Sequence, residues 1–219
     1  MYADTEMKYR PQQLDRFVFP NSEVEEVINA YASGKATRPL LLSGKNGTGK
    51  SLLASLLPHA IEGFEAQINC VRACDLNSNK EVQAKFASNK NFDRLFTING
   101  QTRNYNVIEE VNFDPRARDA FRVVLDEYRG TDLTILTTNE LAKIDVGIRS
   151  RCEVLEVPPC EPRLFLKRAK EILVAEGCDI DDGDLLSTLE ATYDLSSDNR
   201  QYYKKLDELL RSVTQLSVD

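Results

Sequence analysis

The segment Gly44-Lys45-Asn46-Gly47-Thr48-Gly49-Lys50-Ser51 constrains this chain more than any other feature. It fits the pattern G-x-x-x-x-G-K-[ST] in full. An apolar run, Pro39 to Ser43, precedes it and reads as a buried parallel strand. A helical pattern over Leu52 to Ile61 follows it. Glycines at these positions let backbone N–H groups curl around phosphate oxygens, and the helix N-terminus adds its positive end. In that geometry Lys50 reaches the outer phosphates of a nucleotide, and the Ser51 hydroxyl ligates Mg²⁺.

Such a loop belongs in an α/β sheet, and the rest of the chain supplies one. Short strand-like runs recur at Ala66 to Val71, Tyr105 to Val111, Leu133 to Thr138 and Val154 to Val157. Helical patterns lie between them. Ser22 with Glu25 forms a capping box, and Gly34 suits the end of that helix. Asp114-Pro115 opens another helix, with an N-cap followed by proline at the first helical position. After Pro158-Pro159 the periods are only helical, over about 161–176, 182–193 and 198–216. The expectation is a Rossmann-like parallel α/β domain over 1–158 and a three-helix, all-α domain over 159–219.

Composition sets outer bounds. The chain has 219 residues, 42% hydrophobic and 29% charged, enough to bury a core and unlike a disordered or fibrous chain. No apolar run of about 18 residues occurs, and the N-terminus is polar and acidic. We therefore expect no membrane span and no secretory signal. Five cysteines without a C-x-x-C pair, and the single His59, favour reduced thiols in a cytoplasm over a zinc site or disulfide framework. The net charge of −7 is not that of a typical nucleic-acid binder. It is uneven, however. Residues 160–219 hold 8 Lys and Arg against 13 Asp and Glu, whereas 71–105 hold six basic side chains against three acidic ones.

A P-loop NTPase needs an acidic element on a neighbouring strand, and Val107-Ile108-Glu109-Glu110 meets that need. One carboxylate can hold the metal through water while the next polarises the attacking water. Thr137-Thr138-Asn139 ends the next expected strand, where Asn139 can orient that water.

Further residues resemble the clamp-loader AAA+ ATPases. Thr137 to Ile144, followed by Ile148-Arg149-Ser150-Arg151-Cys152, is similar to their sensor 1 and Ser-Arg-Cys segments. Lys8-Tyr9-Arg10-Pro11 resembles their opening, and Ala117 to Glu127 a helix of the same family. Asp198-x-Arg200 with Leu206-Asp207 resembles their sensor 2 helix. The likeness runs from about 8 to 210 and is strongest to the ATPase subunits of T-even-type phage clamp loaders.

The resemblance implies an ATPase that uses ATP and Mg²⁺ in a ring of like subunits and loads a sliding clamp onto primer–template DNA. It implies that Arg151 is an arginine finger acting in a neighbour's site, a device worth about 10³–10⁵ in rate. It implies that Arg200 senses the γ-phosphate from the lid, and that Tyr9, Arg10 and Pro11 lie near the adenine. Ring-lining helices of the family track DNA, which points to the basic stretch and to Lys80, Lys85, Lys90 and Arg94.

Two features depart from the family pattern. The acidic motif reads Glu109-Glu110 where Asp-Glu is usual; the extra methylene displaces a ligand of a geometrically demanding ion, so slower hydrolysis is expected. The family also usually continues into a helical collar, and the expected elements here reach only as far as the lid. Two other readings stay open: a nucleotide-gated regulatory module with little turnover, and another DNA-remodelling AAA+ factor such as a helicase loader.

Overall fold

The structure is a computed structural model describing residues 4–92 and 100–216, with backbone alone for 87–92 and 213–216. The elements in chain order are α1 (Thr5–Lys8), α2 (Ser22–Ala32), β1 (Leu40–Ser43), α3 (Lys50–Glu62), β2 (Ile68–Arg72), α4 (Asn79–Phe92) and β3 (Asn104–Glu109). Then come α5 (Pro115–Glu127), β4 (Asp132–Thr138), α6 (Val146–Arg149), β5 (Glu153–Glu156), α7 (Pro162–Ala175), α8 (Asp182–Leu195) and α9 (Arg200–Leu216). Among the described residues no helix is long and apolar enough to cross a membrane.

The chain divides into two compact units. One comprises Glu26–Gly44 and Lys50–Val157; the other comprises Met1–Glu25, Lys45–Gly49 and Pro158–Asp219. The first is built on a five-stranded, all-parallel sheet in the order β2-β3-β4-β1-β5. β1 and β4 are buried along their whole length, which is why β1 reads as a continuous apolar run and β4 carries buried threonines among its apolar residues. Phe121, Val124 and Leu125 of α5 bury their stripe with Leu41, Ile108 and Leu136 of the sheet and Phe86 of α4. Asp114 caps α5 as expected, accepting from the Arg116 N–H, with Pro115 in the first turn. For α2 the cap differs from the expected one. Ser22 is already helical, and Asn21 Oδ1 accepts from the Val24 N–H at 2.9 Å.

A polar network crosses the amino-terminal half of this sheet. Asp132, buried, accepts from Asn104 Nδ2 (3.1 Å), Thr131 Oγ1 (2.8 Å) and Asn106 Nδ2 (3.1 Å). Asn106 Oδ1 accepts in turn from Asn69 Nδ2 at 2.9 Å, so the network ties β2, β3 and β4 together. Asp132→Asn replaces one acceptor by a donor that faces another donor. It is expected to lower unfolding free energy by about 1–2 kcal/mol, read as a lower denaturation midpoint at unchanged slope.

In the second unit α7, α8 and α9 enclose Phe165, Ile172, Leu173, Leu185, Leu189, Tyr202 and Leu206. Phe165 stacks on Tyr202 at 4.7 Å between ring centroids. The amino-terminal segment belongs to this unit. The Thr5 N–H donates to Asp207 Oδ1 at 3.0 Å, and Thr5 Oγ1 donates to the Tyr203 carbonyl at 3.1 Å. The five cysteines form no disulfide; Cys152, Cys160 and Cys178 are buried, and burial pushes the Cys152 and Cys160 thiols up to about 12.

Candidate nucleotide site

β1 delivers the chain to the P-loop at the carboxyl edge of the sheet, where ligands of open α/β sheets bind. Gly44, Gly47 and Gly49 have φ of 150°, 75° and 92°, a region that side-chain-bearing residues avoid. The Gly44 N–H donates to the Thr138 carbonyl at 3.3 Å, fastening the loop to the end of β4. Thr48, buried, donates from Oγ1 to the Lys45 carbonyl at 3.2 Å. Lys50, only 6% exposed at the start of α3, donates from Nζ to the Gly44 carbonyl at 2.8 Å. Lys45, Asn46 and Ser51 are exposed. Left-handed backbone at three glycines and a lysine ammonium on the carbonyl of the first are features that suit an oxyanion ligand.

Sheet order sets acidic and polar residues at the strand ends next to that of β1. β3, β4 and β1 are neighbours, so Glu109–Glu110, Thr138–Asn139 and Ser43–Gly44 end adjacent strands. Glu109 is half-buried; Glu110 is exposed, with φ of 53°, and is the non-glycine residue in the left-handed region among the described residues. Thr137 holds that turn, its Oγ1 accepting from the Glu110 N–H at 3.3 Å and its carbonyl from the Val111 N–H at 2.9 Å. Asn139 is exposed just past β4. Among the described residues no three His, Cys, Asp or Glu side chains gather as a metal cage. Mg²⁺ held by one carboxylate, a hydroxyl, waters and phosphates needs none, and Ser51 with Glu109 fits that donor set.

In the other unit, loop residue Gly47 meets the turn before α9. The Asn199 N–H donates to the Gly47 carbonyl at 3.3 Å, and the Asp198 carboxylate lies against the Gly47 Cα. Asp198 Oδ1 also accepts from the N–H of Arg200, which opens α9 and is exposed. Tyr9 packs against the helical core, and its hydroxyl donates to Glu176 at 2.7 Å. Lys8 and Tyr9 together hold the Glu176 carboxyl below its usual range. Arg168 Nη2 donates to the Tyr9 carbonyl at 2.7 Å, while Arg10 is exposed and Pro11 buried.

Arg151 follows α6 on the sheet-bearing unit. Its Nε donates to both Asp126 carboxylate oxygens at 2.9 Å, Nη2 pairs with Asp126 Oδ2 at 2.9 Å, and Nη1 donates to the Gly147 carbonyl at 2.8 Å. Neither partner has a signal in the sequence. Lys80 and Lys85 are exposed on α4. Lys85 lines an open cavity of about 710 Å³ with Cys70, Arg72, Glu81 and Glu109. The Lys90 side chain and all of Arg94 lie outside the described residues.

No family model matches the chain. Among curated proteins it is similar to the replication factor C small subunit of Staphylothermus marinus, 26% identical over 215 residues, covering 97% of this chain and 63% of that protein. It is 30% identical over 181 residues to the replication factor C small subunit of Archaeoglobus fulgidus, covering 81% of this chain and 56% of that protein. The chain therefore spans between about half and two thirds of the length of these relatives. Among solved structures it is similar to the Thermotoga maritima RuvB Holliday junction branch migration motor, with a TM-score of 0.71 at 17% identity, over 96% of this chain and 67% of that one. A RuvB mutant gives a TM-score of 0.74 at 14% identity, over 96% and 68% of the two chains. The RuvB likeness is one of fold, and the replication factor C likeness is one of sequence. The chain is thus similar in sequence to replication factor C small subunits and in fold to the RuvB motor.

Proposed function

We propose that this chain binds ATP with Mg²⁺ at the P-loop, hydrolyses it, and serves as a subunit of a ring that loads a sliding clamp onto primer–template DNA. The observation that carries the proposal is the placement of Gly44, Glu109–Glu110 and Asn139 at the ends of three adjacent strands. In this reading the P-loop N–H groups and Lys50 bind the phosphates. Ser51 and Glu109 hold Mg²⁺, which when bound neutralises phosphate charge. Glu110 takes the proton of the attacking water, and Asn139 orients that water. Arg151 acts in a neighbour's site, Arg200 couples the lid to nucleotide state, and Tyr9, Arg10 and Pro11 lie by the adenine. The division into an ATPase domain over 1–158 and a lid over 159–219, and a cytoplasmic setting, belong to the same proposal. DNA contact falls to the basic stretch, with Lys80, Lys85, Lys90 and Arg94.

Steady-state ATP turnover, measured alone, with a sliding clamp, and with clamp plus primed DNA, tests this. Stimulation that needs both partners is the expected result. Stimulation by single-stranded DNA or a replicative helicase alone would move the assignment to a helicase loader. Glu109 favours one second reading, a switch that binds ATP with little turnover. Glu109→Asp separates the two. Shortening the metal-side carboxylate is expected to raise kcat by roughly 10-fold (about 1.4 kcal/mol in the barrier) with KM for ATP nearly unchanged. A variant that binds ATP but stays as slow as the parent would favour the switch.

A further inference from the structure

Arg151, half-buried, is fixed on two sides by its own chain. Both ends of its contact rest on the same core. Leu125, next to Asp126, is 2% exposed; Ile148 and Cys152, flanking the Arg151 turn, are 1% and 6% exposed. A second pair fastens the same two helices one turn away. Arg122 donates from Nε to Asp145 Oδ1 at 2.9 Å, with Nη2 at 2.7 Å from Oδ2. Asp145 in turn caps α6, accepting from the Ile148 N–H at 3.1 Å, and Arg122 holds its carboxyl below the usual range. Arg122 and Asp126 stand four residues apart on one face of α5. The backbone that carries Arg151 is therefore held at α6 and at the core before its side chain is considered.

Donor counting then describes the guanidinium. Arginine has five N–H groups. Asp126 takes that of Nε with both carboxylate oxygens, Nη2 lies in ion-pair contact with Asp126 Oδ2 at 2.9 Å, and the Gly147 carbonyl takes one of Nη1. Each terminal nitrogen therefore keeps at least one N–H beyond these bonds, and arginine presents such donors to a phosphate.

We infer that Asp126 is the positioning residue of Arg151, its carboxylate and the Gly147 carbonyl gripping the guanidinium from two sides so that the remaining terminal N–H donors are presented to an acceptor outside this chain. The inference rests on the reading of Arg151 as a finger acting on a neighbour's nucleotide. A pre-aimed finger loses no rotamer freedom at the moment of reaction, and misplacement by about 1 Å can cost roughly 10²-fold in rate.

A double-mutant cycle on the full chain tests it: Asp126→Ala, Arg151→Ala and both together, with kcat and KM for ATP and a thermal melt for each. Asp126 is exposed, and exposed ion pairs add little to stability, so the melts should coincide. Asp126→Ala should lower kcat by about 10- to 100-fold without raising KM, and should have no further effect when Arg151 is already alanine. Asp126→Asn, which keeps the shape but cannot accept with both oxygens, should fall between. If Arg151→Ala slows turnover while Asp126→Ala does not, the positioning role is overturned and the finger stands. If the two losses multiply, Asp126 acts by another route and the inference is likewise overturned. If Arg151→Ala leaves turnover unchanged, the finger reading itself fails, and the inference with it.

Discussion

Glu110→Gln is expected to lower ATP turnover by about 10²–10⁴-fold, the usual span for removing a positioned general base, while nucleotide affinity stays near that of the parent. Glutamine keeps the length of the side chain and the backbone of the turn, and removes only the ability to take a proton. The local geometry makes this a sharper test than an acidic strand end would normally give. At φ 53° Glu110 occupies a conformation that costs an L-residue roughly 1–2 kcal/mol. Thr137 sustains it from the next strand, with one bond from its hydroxyl and one from its carbonyl. Strain kept at a site by surrounding bonds is a mark of function rather than of packing. Glu110→Gly supplies the control. Glycine relaxes the left-handed backbone, so the melt should be unchanged or slightly higher while turnover is lost. Single-turnover rates with a fluorescent-nucleotide titration would read both quantities. A glutamine variant with parental turnover would remove Glu110 from the chemistry.

What could be read from the sequence follows from how each feature is made. β1 was legible because a strand covered on both faces reads as an apolar run, β3 and β4 because of their β-branched and aromatic residues, and the P-loop because its glycines answer a backbone demand at fixed spacing. β2 is found at Ile68–Arg72 rather than 66–71 because it is an edge strand buried chiefly at Val71, so hydrophobicity marks its limits poorly. α1 left no trace, since four residues cannot propagate a helix alone and it is held by Asp207 and Tyr203, about 200 positions away. The cap of α2 shifted by one residue because Asn21 and Ser22 are both good caps and adjacent. For the site, types and strand ends could be anticipated, whereas partners could not. Asp126 is 25 residues from Arg151 and looks like any surface carboxylate of an amphipathic helix. Likewise a left-handed glutamate carries no signal of its own, because the demand comes from Thr137 on another strand.

Gly47→Ala is expected to be the most disruptive one-carbon change in the P-loop, lowering stability by about 2–3 kcal/mol and weakening ATP binding with it. Two costs combine. The backbone at φ 75° penalises any Cβ by roughly 1–2 kcal/mol. That Cβ would also stand 1.7 Å from Asp198 Oδ1 and 2.1 Å from its Cγ, so the carboxylate must leave. It cannot leave freely, because the same oxygen accepts from the Arg200 N–H at the start of α9, and loss of such a cap costs about 1 kcal/mol. Gly44 and Gly49 share the positive φ, but at Gly49 a Cβ would meet only the edge of the Phe17 ring at 3.1 Å. Asp198→Ala distinguishes the two costs. In that background Gly47→Ala should lose only the backbone part, so the pair should be less destabilised than the sum of the singles. Urea midpoints and ATP titrations of the four chains give the coupling. Strict additivity would mean that Asp198 and Gly47 do not constrain each other, and that this glycine is required by its backbone angle alone.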